Sequence, residues 1–196
     1  MRCRLIACGV FDREVRWLIA KNAWPVDAVF LDSSLHVDFA RLEEGLRSAL
    51  ARGAGEGVAA FYGACHPRID RILPADTVLR TPVENCVEAL LGRETYLREL
   101  EQGAFFLFED WARQARRVIL GALGGNEAVA REICRAERKY LLCVRTSCSP
   151  DFTAEAAEAG RMVGLPLRWM DAPLDHLEAV LGETIARRLE ALPCPS

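Results

Sequence analysis

No run of apolar residues in this chain approaches the length of a membrane span. The N-terminus passes directly into an apolar, strand-like segment with no cleavage site behind it. Neither a membrane protein nor a secreted one is expected, and a cytoplasmic location is. Positive charge is not in surplus: the formal net charge is −3, with arginines scattered among glutamates on helix-like stretches, so no nucleic-acid partner is expected. There is no Gly-x-Ser-x-Gly elbow for a serine hydrolase, no Walker loop and no dinucleotide glycine fingerprint. Internal repeats and low-complexity tracts are missing as well. No two cysteines form a Cys-x-x-Cys pair, which removes local support for a zinc ribbon or a thioredoxin-like motif.

What is present is a folded-protein composition. With 196 residues, 51% hydrophobic and 27% charged, the chain can bury the core of one domain. Short apolar runs at 2–10, 26–31, 57–62, 77–80, 139–146 and 167–170 read as strands, and 104–108 as a strand or buried loop. Between them, apolar residues recur at helical spacing over 12–22, 37–52, 83–91, 94–100, 110–123, 127–138, 151–163 and 174–192. The last of these holds one or two helices. Strand–helix alternation implies parallel pairing through right-handed crossovers. The expected fold is a single α/β domain over 1–196, an open, mainly parallel sheet with helices on both faces (Rossmann-like). A lobe boundary is most readily placed at 124–126, around Gly124-Gly125. Thr81 reads as the N-cap of the 83–91 helix, with Pro82 at its first position and Glu84 three residues on.

Eight cysteines are many for a cytosolic chain of this size, and a core this large needs no disulfides. In open α/β sheets, ligands bind beyond the carboxyl ends of the strands. Cys8, Cys65 and Cys148 are expected at that edge, after the first, third and 139–146 strands. Cys86 is expected in the first turn of its helix, where the dipole lowers a thiol pKa. Soft thiolates converging from separate loops suit zinc, copper(I) or an iron–sulfur cluster. The competing reading is of unrelated core and loop cysteines. Cys3, Cys143 and Cys134 read as core, and Cys194 as an exposed tail residue. His66, beside Cys65, is a candidate ligand or proton-transfer group, although neighbours on an extended loop point apart. His36 and His176 read as helix-start residues. Glu14 is a weaker candidate for the same cleft, and Tyr62, Tyr96, Phe105, Phe106 and Trp111 line either a pocket or plain core.

Tyr62-Gly63-Ala64-Cys65, the stretch Asn85-Cys86-Val87-Glu88-Ala89-Leu90-Leu91-Gly92, then Tyr96, Gly103 and Trp111 resemble the family called domain of unknown function 1638. Ile6-Ala7-Cys8 with Glu14 is similar to that family's N-terminal strand. The resemblance implies that Cys8, Cys65 and Cys86 are a cysteine triad, in proteins of methanogens and other anaerobes encoded near corrinoid-dependent methyltransferases. The chain departs from the pattern at His66, where glycine is usual, at Asn85, where aspartate is usual, and at Arg80-Thr81-Pro82. These departures bear on the fourth ligand and on the substrate.

Three function classes follow. The first is a metalloprotein in which Cys8, Cys65 and Cys86 hold an iron–sulfur cluster or zinc, with Cys148, His66 or an exogenous group completing the shell. Its expected role is as an accessory or redox component of anaerobic one-carbon or corrinoid methyl-transfer metabolism, or, with zinc, in thiol activation for methyl transfer. The second is a non-enzymatic binding or chaperone module for a corrinoid or methyltransferase partner. The corrinoid signature Asp-x-His-x-x-Gly is missing, so ordinary base-off binding has no support. The third is a metal-free thiol enzyme. Homo-oligomerisation stays open.

Overall fold

The computed structural model describes residues 2–53 and 57–191, so Cys194 and the last residue of the expected 174–192 helical region lie outside the described residues. In chain order the elements are β1 (Cys3–Cys8), α1 (Asp12–Lys21), β2 (Val26–Leu31), α2 (Phe39–Ala51), β3 (Gly57–Phe61), α3 (Ile69–Ile72), β4 (Val78–Arg80), α4 (Cys86–Leu91) and α5 (Arg93–Glu101). There follow β5 (Ala104–Leu107), α6 (Glu109–Arg113), α7 (Glu127–Glu137), β6 (Tyr140–Arg145), α8 (Thr153–Val163), β7 (Leu167–Asp171) and α9 (Asp175–Glu190). Short 3-10 turns cover Gly9–Phe11 and Ser33–Val37.

All strand pairs are parallel, as the alternation implies, and the strands divide into two sheets. One has the order β2-β1-β3-β4 and the other β5-β6-β7. The change of sheet falls between Arg80 and Ala104, across α4 and α5. Gly124 and Gly125 lie before α7, at φ +82° and +80° with open space beside them.

Strand β1 shows why the apolar runs form buried parallel strands. Successive side chains face opposite ways, and helices cover both sides, so polar alternation is not needed. Leu5 and Ala7 enter a core with Phe11, Leu18, Leu177 and Leu181, while Ile6 enters the opposite one with Leu42 and Leu46. Burying each large aliphatic side chain contributes about 1.5–3 kcal/mol. The first of these cores also takes Phe106, Leu142 and Val144, so the two sheets share it. Leu107, Leu141 and Cys143 face the far side of the second sheet, against Cys134, Ala156 and Met162. Cys3, Cys134 and Cys143 are thus core residues, as expected.

Local differences from the sequence reading have local causes. The 110–123 region is not one α-helix: α6 stops at Arg113 and a π-helical turn covers Arg116–Leu120. Val118, Ile119 and Leu120 are consecutive and all buried, more than one face of a regular helix can turn inward. The terminal region is a single helix. At α4 the cap is Asn85 rather than Thr81. The Asn85 Oδ1 accepts from the Glu88 N–H at 3.0 Å, while buried Thr81 stays extended and its N–H donates to the Ala60 carbonyl at 3.0 Å. Pairing Thr81 with the end of β3 keeps 81–85 out of the helix. Cys86 therefore becomes its first residue. No helix of the described residues is long and apolar enough to cross a membrane.

Candidate functional site

Three cysteines reach the carboxyl edge of the first sheet by separate routes. Cys8 is the last residue of β1, opposite Leu31 of β2. The chain then turns closely, because a Cβ on Gly9 would stand 2.8 Å from the Leu31 carbonyl oxygen. Cys65 follows β3 through Tyr62-Gly63-Ala64, where the Ala64 N–H donates to the Glu84 carbonyl at 2.7 Å. That bond ties the Cys65 loop to the segment that leads into Cys86.

Cys8, Cys65 and Cys86 line one cavity of about 210 Å³. Leu42, Phe61, Val83 and Trp111 form apolar wall, and Tyr62 and Asn85 add polar groups. In this largely apolar setting the thiols hold their protons. Burial pushes Cys8 up to about 12; the Val10 N–H opposes this, and Cys65, Asp110 and Asp32 add to it. Burial, then Cys8 and Cys65, raise Cys86 well above an ordinary thiol. Burial raises Cys65, opposed by the Gly63 N–H and Arg80. The expectation that the helix start lowers the Cys86 pKa is therefore not met. A six-residue helix supplies a weak dipole, and desolvation outweighs it. Burial, followed by Cys8 and Cys65, likewise holds the Tyr62 phenol well above its usual range. The Tyr62 hydroxyl has no hydrogen-bond partner among the described residues.

The other expected donors lie elsewhere. Cys148 follows β6, does not line this cavity, and has its backbone N–H on Thr146 Oγ1 at 3.1 Å. Burial and nearby Glu14 raise its pKa. His66 is buried beside Cys65 but points away: its Nδ1 accepts from the Arg68 N–H at 2.9 Å, and its ring meets Phe39 edge-on at 5.3 Å. Glu14 is buried, accepts from Thr146 Oγ1 at 2.6 Å, and opens onto a separate cleft beside Glu109 and Asp110. Of the aromatic residues, Tyr62 and Trp111 reach the cysteine cavity, while Tyr96 packs against Phe106 in the core.

The sequence reading missed the side facing β2. Asp32, Ser33 and His36, on or beside the 3-10 turn that follows β2, line the same cavity. Their position just past a strand's carboxyl end was the available signal; treating His36 as a helix-start residue concealed it. Ser33 Oγ donates to Asp110, joining this wall to α6. Trp111 Nε1 is buried without a hydrogen-bond partner among the described residues.

Among the described residues no three His, Cys, Asp or Glu side chains form a ready-made site for a single metal ion. A zinc ion with bonds of about 2.3 Å draws its sulfurs nearly into contact. A cluster carries its irons at separate corners, so its ligands stand around a perimeter with volume between them. Three soft donors lining one largely apolar cavity are of the ligand type that either group takes. The cysteines' protons would leave as the group bound.

No curated protein and no solved structure matches the chain. A family model described as "Protein of unknown function (DUF1638)" matches residues 30–181, a span that contains His36, Cys65, Cys86 and Trp111 and leaves Cys8 outside. With well over half of its length matched, the chain belongs to the DUF1638 family.

Proposed function

We propose that this protein holds an iron–sulfur cluster on Cys8, Cys65 and Cys86. In this reading it is an accessory or redox component of anaerobic one-carbon metabolism in the cytoplasm, serving a corrinoid or methyltransferase partner. The observation that carries the cluster is the meeting of three cysteines, from distant stretches of chain, in one cavity of about 210 Å³. The methyl-transfer setting rests on the family resemblance alone.

A bound cluster supplies one-electron chemistry. The three cysteines hold it, giving up their protons as it assembles. Leu42, Phe61 and Val83 give the site a largely apolar wall, which strengthens each electrostatic contact beside it. Tyr62 lines the cavity within electrostatic reach of Cys8 and Cys65, so its hydroxyl can donate to a thiolate sulfur and stabilise negative charge there.

The test is protein made and purified without oxygen. Iron and acid-labile sulfide in comparable amounts, with a brown absorption spectrum, are expected. Cys8→Ser, Cys65→Ser and Cys86→Ser should each lose most of both. A colourless protein that resists reconstitution with iron and sulfide defeats the reading, and zinc bound in place of iron redirects it to a single-ion site.

A further inference from the structure

The strand order makes the cavity four-sided. β1, β3 and the segment after β4 each bring a cysteine to it, and β2 brings the turn holding Asp32, Ser33 and His36. Two of those three side chains are already engaged. Asp32 Oδ1 accepts from the Ser34 N–H at 2.9 Å and from its hydroxyl at 2.7 Å, and Asp32 Oδ2 stands 3.5 Å from Arg117. The Ser33 hydroxyl donates to Asp110.

His36 is different. Its Nδ1 lies 2.5 Å from the Ser33 carbonyl oxygen. A carbonyl only accepts, so Nδ1 carries the hydrogen, and in the neutral ring Nε2 keeps its lone pair. No described residue hydrogen-bonds to Nε2. Trp111 packs against the ring with centroids 5.6 Å apart. A histidine that donates one N–H to a backbone carbonyl, is held in orientation and keeps its other nitrogen free is prepared to ligate.

We infer that His36, through Nε2, is the fourth protein ligand of this site, completing a set of three cysteines and one histidine. The inference rests on the cluster reading above and sharpens it. A cluster held at all four corners has no open position for a substrate, so the site moves electrons rather than binding a reactant. A neutral imidazole in place of a fourth thiolate also leaves the cluster one negative charge lighter, which raises its reduction potential.

The test uses the full chain, reconstituted without oxygen with ferrous iron and sulfide. Wild-type protein labelled with 15N-histidine should show one strongly coupled nitrogen in pulsed EPR of the reduced cluster, and His36→Gln should lose it while His66→Gln keeps it. In His36→Ala, iron should be lost to a chelator at least about 10-fold faster, and added imidazole should slow that loss. His36→Cys should keep the cluster at a lower potential. A cluster in the wild type with no strongly coupled nitrogen overturns the inference and leaves the three-cysteine reading standing. The nitrogen measurement needs no variant, so a misfolded variant cannot obscure it. A wild type that takes up no cluster overturns both.

Discussion

Gly63 and the carbonyl of Glu84 are packed backbone to backbone. A Cβ on Gly63 would stand 2.2 Å from that oxygen and 2.5 Å from its carbon. This close approach joins the Cys65 loop to the segment before Cys86.

Gly63→Ala should therefore separate the two loops and cost about 1–3 kcal/mol or more, since backbone on the other side cannot swing aside. Gly45→Ala is the contrast: the new methyl meets only flexible leucine side chains at 3.5 Å, inside α2, and should stabilise by about 0.4–1 kcal/mol. Urea midpoints of the two variants should move in opposite directions. Equal small shifts would mean that the contact at Gly63 relaxes freely.

Asn85→Ala should destabilise by about 1 kcal/mol, because the Glu88 N–H loses its acceptor at the start of α4. Asn85→Asp should keep the cap and most of the stability. Thermal unfolding separates the outcomes, and an alanine variant as stable as wild type would show the cap to be dispensable.

The metal-free protein should weaken in alkali. Above pH 9 an unfolded Cys8 loses its proton, while the folded thiol keeps it up to about 12. The native state then binds more protons than the unfolded one, so stability falls as pH rises through that window. The slope from this residue is about 1.4 kcal/mol per pH unit. Cys8→Ala should flatten the slope in denaturation measured between pH 8 and 11. An unchanged slope would show that the thiol is already ionised in the folded protein.

Thr146→Val should cost about 1.5–3 kcal/mol at neutral pH, since buried Glu14 loses the hydroxyl that donates to it at 2.6 Å. Burial already raises the Glu14 pKa and the Thr146 hydrogen bond opposes that rise, so the variant should raise it further. Its deficit should therefore shrink as pH falls and Glu14 is protonated in both proteins. Chemical denaturation at pH 4.5 and 7 reads this, and a deficit that is the same at both values would sever Glu14 from the effect.

Much of the architecture was legible in one dimension. Strand runs such as Val26–Leu31 and Tyr140–Arg145 are short and mostly apolar, a property that each strand carries locally. The same locality placed Cys8 and Cys65 at strand ends. How the strands divide between two sheets depends on a core that Leu5, Phe106 and Leu142 share, which no local pattern encodes.

The cavity itself belongs to the second kind. Residue types and their nearness to strand ends were enough to single out three cysteines, because thiol chemistry is intrinsic to the side chain. Which neighbours join them is a matter of distance in space. Hydrogen bonding sent His66 away from the cysteines, strand order brought His36 towards them, and burial reversed the expected effect of the helix on Cys86. Charge, solvation and reach are set by everything packed around a group, and that exists only once the chain has folded.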